Sequence, residues 1–375
     1  MAIRKNKYYD IAHLIKDYPD AYYYMAFGER SNGKTYSALN YALERYFKHG
    51  EQFAYIRRFG EDIKKKNLST LLDGHVENGR IRELSGETFS SVDYTGSKFY
   101  AYKYDEETEK IEKDKQPMGF AFDLNSMEHH KSVSYPKVTT IIFDEFLSRQ
   151  GYLANEFILF TNTLSTIIRD RDNVIIFMIG NTVNKFCPYF SEMGLTHIKD
   201  QKPGTVDLYT YSDTGLKVVV EYCDPMSNRG GKKSDVYFAF DNPQLKMITS
   251  GAWEIAVYPH LINRYRPKHV VTQFFIEFDG TTLHVEIVVT DDEYFMFVHP
   301  KTTPIKKDNE DIVYTNRPDG RWNYRVGITN QSDQLSQFVR KVIAENRVFY
   351  SDNETGEVLR NYLLWSAQYS STKGN

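Results

Sequence analysis

Eight residues near the amino terminus, Gly28-Glu29-Arg30-Ser31-Asn32-Gly33-Lys34-Thr35, have the types and spacing of a phosphate cradle. They fit the P-loop pattern G-x-x-x-x-G-K-[ST], in which backbone N–H groups face phosphate oxygens. In that pattern Lys34 reaches the β- and γ-phosphates of a nucleoside triphosphate, and the Thr35 hydroxyl is a ligand for Mg²⁺. Cleavage needs carboxylates as well, and Asp144-Glu145 supply an adjacent pair roughly a hundred positions on, a usual distance within one P-loop domain. Asp144 would hold Mg²⁺ through water, and Glu145 would polarise the attacking water. Two acids after a strand can also be a helix N-cap and its neighbour. The P-loop upstream favours the catalytic reading.

These residues need elements that aim them at one another. Tyr22 to Phe27 is an apolar run that leads into the glycine loop as a buried strand would, and Tyr36 to Lys48 leaves it with helical periodicity, stopping at Gly50. Strand, loop and helix in that order direct a helix N-terminus at phosphates. Val138 to Phe143 is β-branched and apolar, as a strand covered on both faces of a parallel sheet is, and it ends at the acid pair. A third such run, Asn173 to Ile179, ends in Gly180-Asn181-Thr182. Ligands crowd at the C-terminal ends of parallel strands, so Asn181 is a candidate sensor of the γ-phosphate; Gly-Asn is equally ordinary turn chemistry. Phe157 to Ile168 is helical in spacing and is followed by Arg169-Asp170-Arg171-Asp172. Arg169 or Arg171 could act as an arginine finger on a neighbouring subunit, or the four residues could be a solvated ion-pair cluster.

With these residues in view, the chain resembles the double-stranded DNA packaging ATPases of phi29-like bacteriophages, terminase-type motors of the ASCE P-loop class. The resemblance rests on Arg30 at the third P-loop position, on Lys48 to Arg58, on Ser134 to Phe146, and on Arg169-Asp170-Arg171 and Asn181. It runs through the N-terminal two-thirds and thins out beyond. It implies a homopentameric ring at the portal of an empty phage head, in the host cytoplasm, driving double-stranded DNA inward at the expense of ATP. An RNA adaptor accompanies the motor in some relatives. The resemblance also implies Arg169 as a finger acting in trans, with Arg30 as a rival acting in cis. Gly60 follows Arg57-Arg58-Phe59 where a relative has a basic residue; Lys64-Lys65-Lys66 is a candidate replacement or a solvated turn.

Composition is compatible with such a machine. At 375 residues, two domains are the natural expectation. No apolar run approaches the ~18 residues of a membrane-spanning helix, and the first residues do not read as a signal-peptide core. Two cysteines, Cys187 and Cys223, exclude a disulfide framework or a cysteine metal site. The net charge of −3 carries no overall signature of nucleic-acid binding. DNA contact is therefore sought locally, at Lys131 and at Lys64, Lys65 and Lys66, which would touch phosphates without reading sequence. Ser97 to Lys115 reads as a hairpin tip or exposed loop, whose lysines are balanced by acids.

The expected fold is α/β: a P-loop ATPase domain over 1–226 with a mostly parallel sheet, a small helical linker over 227–264, and an RNase H-like α+β domain over 265–375. The linker reading rests on Asp224 to Asp235, which holds Gly-Gly, a proline and basic polar residues. In the last part, Val270 to Phe278, Leu283 to Val289 and Tyr294 to Val298 read as three antiparallel strands, with a turn at Asp279-Gly280. Gln334 to Asn346 and Glu357 to Gln368 read as helices. The acids available for two-metal cleavage are Glu277, Asp279, Glu286, Asp291 and Asp292, with Glu345 and Asp352 downstream. They do not form an obvious converging set, so the expectation is a vestigial nuclease; a terminase with a working nuclease is the alternative.

Overall fold

Runs of β-branched and aromatic residues without polar alternation must be covered on both faces, and in this chain they are. The computed structural model describes residues 8–105, 110–125, 133–149, 151–229, 253, 256–261, 265–291 and 293–372. Packing divides the chain into two units, Met1–Ser148 with Asn155–Trp253, and Arg149–Ala154 with Glu254–Asn375. The linker expected over 227–264 falls mostly outside the described residues, as do 106–109 at the hairpin tip, Lys131 and Asp292.

The first unit is built on a ten-stranded sheet. Its centre is parallel: β1 (Tyr23–Gly28), β2 (Gln52–Arg57), β6 (Gly119–Asp123), β7 (Val138–Asp144), β8 (Ile175–Asn181) and β10 (Lys217–Tyr222). They lie in the order β6-β2-β7-β8-β1-β10. All of β7 is buried, and β1 and β2 each leave one end residue partly exposed. Such sheets are stabilised chiefly by apolar burial on both faces. Both ends of the sheet turn antiparallel. There β9 (Thr205–Thr210) flanks β10, while β4 (Lys98–Asp105) joins β6, β3 (Ser91–Thr95) and β5 (Lys110–Lys113). All four residues of β5 are exposed and two of them are lysines, the polar character that discourages pairing at a sheet edge.

Strand β8 is interposed between the strand bearing the P-loop and the strand bearing the acid pair, the strand order of the ASCE fold. Because these strands are parallel, their C-terminal ends share one edge of the sheet. The helix Lys34–His49 starts two residues earlier than its periodicity suggests, directly from the left-handed Gly33. It buries Ala38, Leu39, Ala42, Leu43 and Tyr46 along one face and ends on Gly50, whose N–H bonds to Tyr46 O at 2.7 Å with φ +70°. Strand β8 runs two residues further than expected, so Asn181 is its last residue and not part of a following turn.

The second unit contains a six-stranded sheet in the order β15-β14-β11-β12-β13-β16. A meander of β11 (Val270–Phe278), β12 (Thr281–Val289) and β13 (Tyr294–Pro300) is antiparallel, as expected. Asp279 and Gly280 both have positive φ in the tight turn between the first two. Three short strands were not apparent in the sequence: β14 (Val313–Thr315) and β15 (Tyr324–Val326) extend the sheet in parallel beside β11, and β16 (Val348–Tyr350) lies beside β13. A three-strand meander whose first strand is flanked by two parallel strands is the RNase H-like order. The helices are Gln334–Ala344 and Asn353–Thr372. The second begins four residues before its apolar spacing does, capped by Asp352, which accepts the Thr355 N–H at 2.7 Å.

Candidate functional site

At the C-terminal edge of the parallel strands the P-loop, the acid pair and the tip of β8 surround a cavity of about 730 Å³. Its lining includes Ser31 to Ser37, Asp144, Glu145 and Ile179 to Asn181. Small-ligand sites commonly enclose roughly 300–1,000 Å³. The loop conformation depends on Gly33: its φ is +96°, and a Cβ there would sit 3.2 Å from Tyr8 Cβ.

The structure brings Lys34, Thr35, Asp144, Glu145 and Asn181 into this one crevice. The Lys34 ammonium is buried and held by Glu29 O at 2.7 Å, Asn32 Oδ1 at 3.2 Å and Asn181 Oδ1 at 3.4 Å. Asn181 thus contacts the P-loop lysine directly. Thr35 Oγ1 lies 3.2 and 3.1 Å from the two carboxylate oxygens of Asp144. Neighbouring ligands of an octahedral Mg²⁺ lie about 2.9 Å apart, and hydroxyl and carboxylate oxygens are the donors that ion takes. The set therefore fits a hard divalent cation. Of the remaining P-loop residues, Gly28 closes β1 and accepts the Thr182 N–H at 3.0 Å. Glu29 is buried, with its carboxylate accepting the Met226 N–H. Arg30 and Ser31 are exposed, and Asn32 is buried.

Several residues of the site were not singled out from sequence. Tyr55, inside β2, donates to Asp144 Oδ2 at 2.7 Å. Burial, with the Asp144 charge next to it, raises the Tyr55 pKa well above the usual tyrosine range and keeps it a donor. Arg57 ends β2 and donates to Glu145 Oε2 at 2.6 Å. Burial works against its charge, but Tyr55 and Glu145 outweigh it and raise its pKa. Glu145 itself has φ +59°, a rare conformation for glutamate that recurs at functional sites. Arg58 forms a buried two-pronged pair with Glu156, at 2.8 and 2.9 Å, and donates to the carbonyls of Glu145 at 3.0 Å and Phe146 at 2.8 Å. Tyr189 adds a 2.8 Å hydrogen bond to the same Glu156. The turn that carries Glu145 is therefore tied to the helix Glu156–Ile168. Charged residues ending a strand were a usable signal, since Arg57 and Arg58 close the apolar run Phe53 to Ile56. Tyr55 gave none, because it reads as one more aromatic in a buried strand.

The amino-terminal segment closes one side. Tyr8, Tyr9 and Asp10 line the cavity, and the Tyr9 N–H bonds to Asn32 O at 2.9 Å. The Tyr9 hydroxyl donates to Glu221 Oε2 at 2.6 Å, and Ser37 Oγ accepts the Ile11 N–H at 2.7 Å.

Arg169 and Arg171 are not in the crevice. The helix Glu156–Ile168 returns from the C-terminal to the N-terminal edge of the sheet, and both arginines follow it. Arg171 donates to five backbone carbonyls, those of Tyr135, Pro136, Val138, Ile167 and Ile168, and so closes the entry to β7. Arg169 donates to Val133 O at 2.9 Å and has φ +53°. Asp144 is the seventh and last residue of β7, roughly 20 Å from that edge at about 3.3 Å per residue. Neither arginine reaches the P-loop of its own chain.

The lysine candidates fare unevenly. Lys64 and Lys66 are exposed, and both pair with Glu61, at 2.5 and 2.6 Å. These hydrogen bonds hold Glu61 well below the usual carboxylate range, at about 2. Lys65 is exposed at the start of a one-turn helix. Lys131 lies outside the described residues.

Among the described residues of the second unit, Glu277 and Asp308 line one pocket, but no third acid ligand joins them. Glu277 on β11 faces Thr315 on β14, so the adjacent strand offers a hydroxyl where a two-metal site needs a carboxylate. Asp279 accepts from Asn316 at 3.0 Å, and Arg321 occupies Asp308 and Asp319. Glu286 sits among histidines.

Comparison with known proteins places the chain in a family. Residues 3–207 match the family of podovirus DNA encapsidation proteins (Gp16). The chain is 33% identical over 171 residues to a DNA packaging protein of Bacillus phage B103, which covers 45% of this chain and 46% of that protein, about half of its length. It is 29% identical over 306 residues to a DNA packaging protein of Bacillus phage PZA, with 81% of each covered. Among solved structures, the bacteriophage Phi-29 viral genome packaging motor assembly aligns over 98% of this chain and 99% of its own, at 20% identity and a TM-score of 0.53. The Phi-28 gp11 DNA packaging motor aligns over 96% and 98%, at 21% identity and a TM-score of 0.51. At those identities the structural likeness speaks for the fold alone. By the family match, which takes in the P-loop, the acid pair and β8, the chain belongs to the podovirus DNA encapsidation proteins.

Proposed function

We propose that this protein is an ATP-driven motor that moves double-stranded DNA into a viral procapsid. The observation that carries the reading is the meeting of Thr35 and Asp144 at 3.1–3.2 Å beside the buried Lys34 ammonium. Lys34 would bind the β- and γ-phosphates of ATP, as the loop N–H groups from Glu29 to Thr35 cradle them. Thr35 and Asp144 would hold Mg²⁺, which neutralises charge developing on the phosphoryl oxygens. Glu145 is the base that polarises water. Arg57 is its positioning residue: it holds one carboxylate oxygen and leaves the other for the water. Asn181, in contact with Lys34, registers whether the γ-phosphate is present.

Arg169 acts as a finger on the site of a neighbouring copy. What supports this is its position on the sheet edge opposite the P-loop, together with the commitment of Arg171 to backbone carbonyls. A closed ring, a pentamer in this reading, brings the two edges together at the portal of the procapsid in the host cytoplasm. An RNA adaptor and DNA contacts from Lys65 and Lys131 belong to the same proposal. No helix among the described residues is long and apolar enough to cross a membrane. The nuclease reading finds no support among the described residues of the second unit, where Glu277 has Asp308 across its pocket but no third acid ligand within reach.

The decisive measurement is the rate of ATP hydrolysis against protein concentration, with and without double-stranded DNA. A rate per subunit that rises with concentration and with DNA supports a shared site. A rate per subunit independent of both would leave a self-contained ATPase and not a motor, and binding without turnover would leave a nucleotide-binding scaffold.

A further inference from the structure

We infer that the second unit binds a transition-metal ion, Zn²⁺, through His284, Glu286 and His299. His284 and Glu286 stand two residues apart on β12 and so share a face. His299 on β13 is directly opposite His284 in the antiparallel register, which puts it on that same face. The ligand atoms of the three side chains all lie within 4.8 Å of one another. His299 Nε2 is 3.7 Å from Glu286 Oε2, and the two imidazole rings meet edge to face at 4.7 Å between centroids. Donor atoms around one Zn²⁺ are about 3.3 Å apart, so only a rotamer-scale contraction is required.

Two features distinguish this cluster from an incidental pair of surface histidines. All three residues are partly buried, which limits competition from water. Two of the three also have neighbours that orient them. Gln273 Oε1 lies 3.1 Å from His284 Nε2, Tyr265 donates to Glu286 Oε2, and Phe275 stacks on the His284 ring at 4.8 Å. Outer partners of this kind fix ligand orientation in metal sites. Two imidazoles with one carboxylate suit Zn²⁺ and not Mg²⁺, which takes oxygen ligands. Three protein ligands leave one coordination position for water or an incoming donor. The site shares a sheet face with Glu277, because Gln273, Phe275 and Glu277 pair in turn with Glu286, His284 and Thr282. It uses a different donor set, further along the strands.

The test is titration of the full chain, stripped of metal, with ZnCl₂ in saturating Mg²⁺, which occupies the oxygen-lined site near the P-loop. Stoichiometry is read by calorimetry, and ligand geometry by the visible spectrum of the Co²⁺-substituted protein. The wild type is expected to bind one more Zn²⁺ than the His284→Asn/His299→Asn double variant, with a rise in Tm on Zn²⁺ addition that the variant lacks. Glu286→Gln, nearly isosteric and chosen in case the double variant fails to fold, is expected to weaken that one equivalent by tenfold or more. Equal stoichiometry in wild type and double variant, unchanged affinity in Glu286→Gln, or no Zn²⁺ uptake by the wild type overturns the inference and leaves a Glu286–His299 ion pair.

Discussion

Glu145 and Arg57 carry the sharpest expectations at the scale of single residues. Glu145→Gln keeps the shape of the turn and its bonds to Arg58, since Arg58 reaches the backbone carbonyl there and not the carboxylate. ATP binding is expected to persist in this variant, while turnover falls by about 100-fold or more, the usual worth of a positioned general base. A filter-binding assay beside a phosphate-release assay separates the two; parallel loss of both would mean that Glu145 serves binding. Arg57→Ala removes the partner that holds Glu145 Oε2. It is expected to lower kcat by roughly tenfold with little change in KM for ATP, and Arg57→Lys is expected to recover part of the loss. A rise in KM at unchanged kcat would assign Arg57 to substrate binding instead.

At the scale of elements, the joint between β2, the turn after β7 and the helix Glu156–Ile168 depends on one buried ion pair. Arg58 and Glu156 are almost fully enclosed, with side-chain exposures of 7% and 0%. Removing one partner strands the other charge in the interior. Arg58→Ala is therefore expected to cost about 3–5 kcal/mol of stability in denaturant unfolding, and a loss under 1 kcal/mol would show that the joint is held by packing. A second joint is sensitive to pH. The hydrogen bond to Glu221 raises His13 to about 9, against the opposing effect of burial. Because the folded-state value lies above the ordinary 6.5, the stabilisation is complete below about pH 6.5 and fades as pH rises through about 9. Half-exposure of His13 keeps its size modest. The imidazole titration followed by NMR should fall toward 6.5 in Glu221→Gln, and a wild-type His13 that already titrates near 6.5 would remove this link between the helix Ala12–Asp17 and β10.

For the whole molecule, the question is whether one chain completes its own site. Arg169 and the P-loop sit on opposite edges of one sheet, so the proposed finger could complete a site only on another copy. Arg169→Ala and Glu145→Gln proteins are each expected to be nearly inactive alone, because a finger contributes about 10³–10⁵ in kcat. Mixed in equal amounts, they should regain roughly a quarter of wild-type hydrolysis, since an Arg169→Ala site beside a Glu145→Gln copy has both its own base and its neighbour's finger. A mixture no more active than its parts would argue for a finger in cis, with Arg30 the candidate.

How much of this was legible beforehand follows from the range of the interactions involved. The P-loop, the strand before it, the helix after it, and β7 with its acid pair are local patterns, so the order of residues alone determined them. Apolar periodicity likewise determined the meander of β11 to β13 and the two late helices. Tertiary structure decided what depends on contacts between distant segments. Short strands such as β14, β15 and β16 are only three residues long, too few to show a period. Tyr55 and Arg57 acquire roles only because β2 lies against β7 in register. Arg169 and Arg171 look alike in sequence, and only the sheet entry, with its row of backbone carbonyls, gives Arg171 a structural task. That Glu277 meets Thr315 and not an acid on the neighbouring strand has the same origin, because register alone sets Thr315 opposite it.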